Sequence, residues 1–465
     1  MGRLLSLCDR SGDGAEATLM AGLSDDLSAY VAEALYDDLP PATVTAAKQV
    51  LLDGLGVMLG ASGMAPEVLP FVKLAAGDGP CTILGNGLRA SAPMAALANG
   101  AMAHALDYED AFDLAPIHPN ASLLPALIAL AQAEGGVDGR RFLTALAVGC
   151  DIGCRLALAL RQRMEVGGWY PPPILAGMGA VAGAAHLLGL NAGQVRDAFS
   201  LMLCQNVMPG EIKHSQGTVI RAVREAFPAQ AAVLSALLVR GGVAGFEQPI
   251  EGRHGFYALY AGGAFDESVL REGLGRRFWI EALTFKRWPS CRGTHGAVEM
   301  ALAMGVKAQD IAQVEVGVDA IQTMLCDPLP RKRAPQTAID AKFSIPFTLA
   351  LALVRGRVGL DDFDAASLAD PAVLDMAGRI TPVLDKAAAW QGAGGWLRVT
   401  LRDGQVLEAA QADALGCPAR PLGAQALRAK FADCAARAAL PPADAPALAA
   451  AILSLEQCGD VGALF

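Results

Sequence analysis

Apolar residues recur at three- and four-residue steps through most of the first 270 positions, the period of helices with a buried face. In Pro41 to Gly60 the apolar set is Val44, Ala47, Leu51, Leu55 and Met58, with Pro40 and Pro41 at the start and Gly60 at the end. This spacing predicts a helix with one buried face. Ala- and Leu-rich runs at Ser91 to His104, Leu123 to Ala133, Phe142 to Ala159, Ile174 to Leu188 and Ala229 to Val239 predict further helices of the same bundle. After Phe278 the pattern changes. Val314, Val316 and Val318 alternate with Glu315 and Gly317, and Trp396 to Leu401 faces Gln405 to Glu408 across Asp403-Gly404, a hairpin turn signal. Helical patterning returns at Ala424 to Ala438 and Asp444 to Leu455, a segment expected to pack back on the first helices.

The expected organisation is therefore a loose N-terminal extension over 1–23, a helical domain over 24–278, a smaller α+β unit over 279–412, and a return to the helical domain over 413–465. The absence of a repeat at 30 to 50 residues argues against a helical solenoid. Near the N-terminus, Leu4 to Cys8 is too short for the apolar core of a secretory signal. Pro171 to Leu190 is long and apolar enough to consider as a membrane span. Its three leading prolines and its lack of flanking Lys or Arg favour a helix buried in protein.

Composition narrows the function classes. With 53% hydrophobic and 18% charged residues, the 465-residue chain can bury a large core and exceeds the size at which single cores usually stop growing. The 6% aromatic share with abundant Ala, Gly and Leu suits close-packed helices. A net charge of −10 sets the global field against nucleic acid and anionic membranes, so an anionic substrate needs a local basic pocket. The ten cysteines are scattered and form no CxxC, the usage of a reducing cytoplasm.

Three groups of residues could carry chemistry. The first runs from Asn99 to Asp110 and on to His118-Pro119-Asn120; continued as a helix, it sets His104, Asp107 and Asp110 at three-residue steps on one face, with His118 just beyond. Such a set can form a cap network, share protons, or bind a metal through imidazole and carboxylate. The second is Phe285 to His295, which holds Lys286, Arg287, Arg292, Cys291 and His295 just ahead of a helix. Three cations beside a helix N-terminus suit a carboxylate, and proton abstraction next to a carboxylate generates charge that a nearby cation must neutralise. A surface loop anchored by Trp288 is the structural alternative, and Cys291 alone reads as a small buried residue unless cations lower its pKa. The third is Lys213-His214-Ser215 through Arg221 and Arg224, cations that could grip a second carboxylate or pair with surface acids.

Five motifs, Leu52 to Gly56, Ala98 to Asp110 with His118-Pro119, Phe285 to His295, Asp340 to Phe347, and Pro418 to Pro421 with Lys430-Phe431, together resemble the MmgE/PrpD family over about 24–435. The resemblance implies a mainly α fold: a large all-helical domain built from both chain ends, an inserted smaller α+β lid domain, and an active site between them in a cytoplasmic homodimer. It implies no organic cofactor, weighs against a metal in the first group, and implies a small di- or tricarboxylate as substrate; the net charge sets the expectation of no nucleic-acid or membrane partner. Members include 2-methylcitrate dehydratase, cis-aconitate decarboxylase and iminodisuccinate epimerase. By this resemblance Asp107, His118 and Lys286 fall at site positions. Where the decarboxylase has a histidine before two prolines this chain has Tyr170, and where it has a histidine five residues after the lysine it has Cys291. A further lysine is matched by Arg221. These departures point away from decarboxylation of cis-aconitate.

The expected site draws its catalytic groups from Asp107, His118, Tyr170, Lys286 and Cys291 and its substrate contacts from His104, Arg221, Arg292 and His295. The step common to the family's activities is proton movement on carbon beside a carboxylate. A dehydratase-like lyase leads, with a two-base epimerase next; a non-catalytic dicarboxylate-binding helical dimer and a metal-dependent hydrolase remain as other classes.

Overall fold

The computed structural model describes residues 22–215, 217–386 and 392–465. The expected N-terminal extension lies outside the described residues except for its last two positions, and Leu23 already opens the helix Leu23–Glu33. The fold is mainly α. Long helices at Pro41–Met64, Ala92–Ala105, Pro119–Glu134, Gly139–Leu158, Pro171–Leu187 and Ala226–Arg240 cover each run that the apolar spacing marks, shifted by a few residues at the ends.

Pro41–Met64 keeps the expected single buried face over its first nine residues, with Thr43, Val44 and Ala47 inside, but every residue from Val50 to Ser62 is buried, so the second half is enclosed rather than one-faced. Its glycines explain how. A Cβ on Gly54 would meet the Leu124 side chain at 2.4 Å, and one on Gly56 would meet the Phe431 backbone at 3.2 Å. Small residues thus admit Pro119–Glu134 on one side and the C-terminal helix Ala424–Ala435 on the other. Pro171–Leu187, within the run considered as a membrane span, is buried at every position except His186. Its Gly179 backs onto Gly149 of Gly139–Leu158, where a Cβ would stand 2.5 Å from the Gly149 carbonyl oxygen. Among the described residues two stretches, Pro41–Met64 and Ile220–Arg240, are long and apolar enough to cross a membrane, and most of each is buried inside the protein.

The later part carries a four-stranded sheet in the order Ile380–Leu384, Ile311–Val318, Ala393–Leu401, Val406–Asp413. The first pair is parallel and the others antiparallel. Val314, Val316 and Val318 are buried, as their alternation requires. The hairpin turns at Asp403-Gly404, with Thr400 opposite Val406 and Gly404 at φ +88°. Helices His295–Met304 and Ile345–Arg355 pack on this sheet and on each other. One element inside the helical half has no counterpart in the apolar pattern, a hairpin of Cys81–Ile83 with Leu88–Ala90. Its strands are too short to display alternation, although Asn86-Gly87 between them is a turn signal.

Candidate active site

The helix Ala92–Ala105 stops one residue after His104. Asp107 adopts a left-handed φ of +49°, its N–H donating to the His104 carbonyl at 2.7 Å. The expectation that His104, Asp107 and Asp110 share one helix face is therefore corrected, since Asp107 and Asp110 sit on the loop that follows. That loop is stitched to the segment carrying Lys286. Ala111 and Thr284 exchange backbone hydrogen bonds of 2.9 and 2.8 Å, and the Tyr108 hydroxyl donates to the Arg287 carbonyl at 3.0 Å. His118 then caps Pro119–Glu134, with a proline at the first helical position.

These pieces bring His104, Asp107, Glu109, His118 and Lys286 into one buried cluster. Lys286 donates to the Asp107 carbonyl at 3.0 Å and to its Oδ1, and lies 3.8 Å from Glu109 Oε1. Burial disfavours the Lys286 ammonium, but the Asp107 and Glu109 charges outweigh it and hold the amine above its ordinary pKa. Glu109 Oε1 is the shared acceptor, 2.5 Å from His104 Nδ1 and 3.0 Å from His118 Nδ1. His118 Nδ1 also lies 2.8 Å from the Asp110 carbonyl oxygen, so both imidazoles have their Nδ1–H satisfied and their Nε2 lone pairs on the far side. Burial and the Arg224 charge lower His104 to about 3 despite Glu109, which keeps it neutral. Burial pushes the Glu109 carboxyl up, yet the hydrogen bond from His104 and the Lys286 charge hold it well below the usual range. Glu109 is thus an anion serving two imidazoles and an ammonium. His118 is the one member with an exposed edge, its side chain 16% accessible.

His104, Asp107 and Glu109 could also present ligand atoms to a metal, all within 4.8 Å of one another. Lys286 already places its positive charge against the same two carboxylates. A cation bound there would compete with it.

The second cluster adjoins the first through Phe343. Tyr170, at the start of Pro171–Leu187, has the Arg224, Lys213 and Arg221 cations 5.1, 5.4 and 5.7 Å from its ring centre. Arg221 lies 3.4 Å from the Phe343 ring centre, and Phe343 in turn meets the His104 ring at 6.4 Å. Arg224 donates to Glu225 at 3.0 Å, and Glu225 also accepts from Ser122. Among the described residues, Arg221 Nε and Nη2 and Arg224 Nη2 are buried with no hydrogen-bond partner. Lys332 adds a further cation, lowered to about 8 by burial and by Arg221. Cys291, its N–H on the Lys342 carbonyl at 3.0 Å, is partly exposed between the clusters. Burial and Asp107 raise its thiol pKa while Lys286 and Arg221 pull the other way.

Arg292 and His295 are not part of this assembly. All five Arg292 N–H groups are used by Asp113, the carbonyls of Leu415, Gly392 and Ala414, and His295 Nδ1. His295 is fully buried, bonded to the Ser290 carbonyl at 3.2 Å and edge-on to Trp288. The expectation of substrate contacts from these two is corrected: they lock the 288–295 turn to the 413–415 segment. Glu109 is the central residue that the sequence reading passed over, because helical spacing turned attention to positions three apart. Placing the helix end at Ala105 would have exposed it.

The chain matches the family model described as the MmgE/PrpD N-terminal domain over residues 25–268, and that described as the MmgE/PrpD C-terminal domain over 288–457. It is 26% identical to a cis-aconitate decarboxylase-like protein of Aspergillus oryzae over 84% of this chain and 86% of that one. It is 22% identical to the cis-aconitate decarboxylase of Homo sapiens over 84% and 83%. Similarity to the mitochondrial 2-methylcitrate dehydratase of Yarrowia lipolytica is 25% identity over 50% and 47%. With matched segments that cover nearly the whole described chain, the protein belongs to the MmgE/PrpD family.

Proposed function

We propose that the protein is a lyase that removes a proton from carbon beside a carboxylate of a small di- or tricarboxylate, with dehydration as the completing step. The observation that carries this reading is the occurrence of buried guanidinium N–H groups on Arg221 and Arg224 that have no partner among the described residues, together with an imidazole pair oriented by Glu109. Buried charged donors without partners are strongly unfavourable until an anion fills them. A substrate carboxylate satisfies Arg221 and Arg224, which sets the adjacent carbon toward the imidazoles. His118, the accessible member, takes the proton on Nε2 while Glu109 stabilises the imidazolium formed. Lys286 gives two N–H groups to Asp107, and its remaining one meets the negative charge that develops on the substrate. Tyr170 or Cys291 returns a proton. Given to a leaving hydroxyl it completes a dehydration; given to the opposite face of carbon it completes an epimerisation.

Every proton and charge in this scheme comes from the chain itself, with no organic cofactor or metal. We assign the 279–412 unit as the lid that closes over the site, and we read the working form as a cytoplasmic homodimer. A second reading, decarboxylation of cis-aconitate, draws on the names of the relatives similar over 84% of the chain. Tyr170 and Cys291 stand against it.

Proton NMR in deuterated buffer with 2-methylcitrate, citrate, cis-aconitate and iminodisuccinate separates the outcomes. A new vinyl resonance from citrate, or a downfield allylic methyl singlet from 2-methylcitrate, supports dehydration. Loss of a Cα–H signal without an alkene supports epimerisation, release of carbon dioxide from cis-aconitate supports decarboxylation, and silence throughout overturns this substrate class.

A further inference from the structure

The loop after Ala92–Ala105 is held in an unusual way. Three consecutive carbonyls each receive a buried lysine from a different part of the chain. Lys342 donates to Leu106 at 2.6 Å, Lys286 to Asp107 at 3.0 Å, and Lys430 to Tyr108 at 2.6 Å. Lys430 also donates to the Lys286 carbonyl at 3.1 Å, which ties two of the grips together. Lysine near a helix C-terminus is favourable in itself, since the last carbonyls lack donors. Two of the three also have a carboxylate, Asp107 for Lys286 and Asp53 for Lys430 at 2.6 Å. Among the described residues, no carboxylate lies within ion-pair distance of Lys342. It is buried, its amine lowered to about 8 mainly by that burial, with the Phe363 ring 5.1 Å away as its other neighbour.

A buried ammonium with one carbonyl as its acceptor is a destabilising choice where an apolar side chain of similar length would fit. What it touches is the residue before Asp107, the point at which the backbone enters the left-handed turn that orients Asp107 and leads to Glu109. We propose that Lys342 is a positioning residue: by gripping the Leu106 carbonyl it sets the turn at Asp107, and with it the register of Asp107 and Glu109 against Lys286 and the imidazoles. Lys430 holds the other side of the same turn at Tyr108. Because Lys342 comes from the 279–412 unit, the grip also makes the site's geometry depend on that unit being docked.

The activity arm of the test rests on the lyase reading, so a substrate-free arm accompanies it. In Lys342→Met the thermal midpoint should stay level or rise, while backbone amides over 106–110 exchange with deuterium at least tenfold faster and those of Pro119–Glu134 do not change. With whichever panel acid the wild type converts, kcat should fall at least 30-fold with KM within threefold. Unchanged local exchange in the folded variant overturns the proposal. So does a rise in exchange spread over the whole chain with a fallen midpoint, since that marks a purely structural lysine. Should the methionine variant not fold, Lys342→Gln, neutral and one bond shorter, is read by the same measurements. A wild type silent on every acid tells against the lyase reading alone, and the exchange arm still decides the role of Lys342.

Discussion

Arg292 and Arg221 are both buried guanidinium groups in basic stretches, and both were expected to hold substrate. Arg292 is 8% exposed and has every N–H engaged, two of its nitrogens on Asp113. Arg221 is 7% exposed and leaves Nε and Nη2 without a partner among the described residues, lying instead on the flat of Phe343. Burial and charge are equal; the difference is satisfaction. A saturated arginine fastens two segments together, whereas an unsatisfied one is incomplete until something anionic arrives. The same contrast separates His295, bonded on both sides, from His104 and His118, whose Nε2 atoms are left open.

The largest effect that sharpens this comparison belongs to Lys286. Lys286→Met strands Asp107 and Glu109 as buried carboxylates without their cation, so chemical denaturation should register a loss of about 3–5 kcal/mol and turnover should vanish. Stability within about 1 kcal/mol of wild type would break the account of the cluster. Next comes Arg292→Met, which should lower stability by about 3 kcal/mol through the stranded Asp113 while leaving anion affinity of the folded protein unchanged. Glu109→Gln should fold but slow turnover about 100-fold, because the His118 imidazolium loses its counter-charge; full activity would place the base elsewhere.

The smallest effect is a slope. Burial pushes Asp110 up to about 7 in spite of the hydrogen bond from Asn120 at 2.9 Å, with Asp53 and Glu109 adding to the rise. The folded value lies above the unfolded one near 3.9, so the stabilisation from the protonated acid is full below about pH 4 and is lost as pH rises through about 7. Asp110→Asn lacks this decline. Its stability relative to wild type should therefore climb between about pH 4 and 7, and a constant difference across that range would show that Asp110 stays ionised.

Much of the fold was legible because its signals are local. Three- and four-residue spacing placed the long helices, and Asp403-Gly404 placed the hairpin. The enclosure of Val50 to Ser62 was not legible, since it depends on which distant helices meet Gly54 and Gly56. Nor was the break after Ala105. Ala101 to Asp110 contains no glycine or proline, and the helix ends there where lysines from positions 286, 342 and 430 take the next carbonyls. Of the site, Asp107, His118 and Lys286 were named from motif positions and do meet in space. Glu109 escaped because the proton acceptor of two imidazoles is defined by where the loop turns, which no spacing rule describes. Arg221 and Arg292 could not be told apart in one dimension, because partner counting needs coordinates.

Calorimetric titration with tricarballylate, an inert tricarboxylate, tests the central contrast most directly when run on wild type, Arg221→Met and Arg292→Met under conditions where all three are folded. The account predicts at least a tenfold loss of affinity, about 1.4 kcal/mol, for Arg221→Met and none for Arg292→Met. Equal affinity in wild type and Arg221→Met, or a loss confined to Arg292→Met, would contradict it.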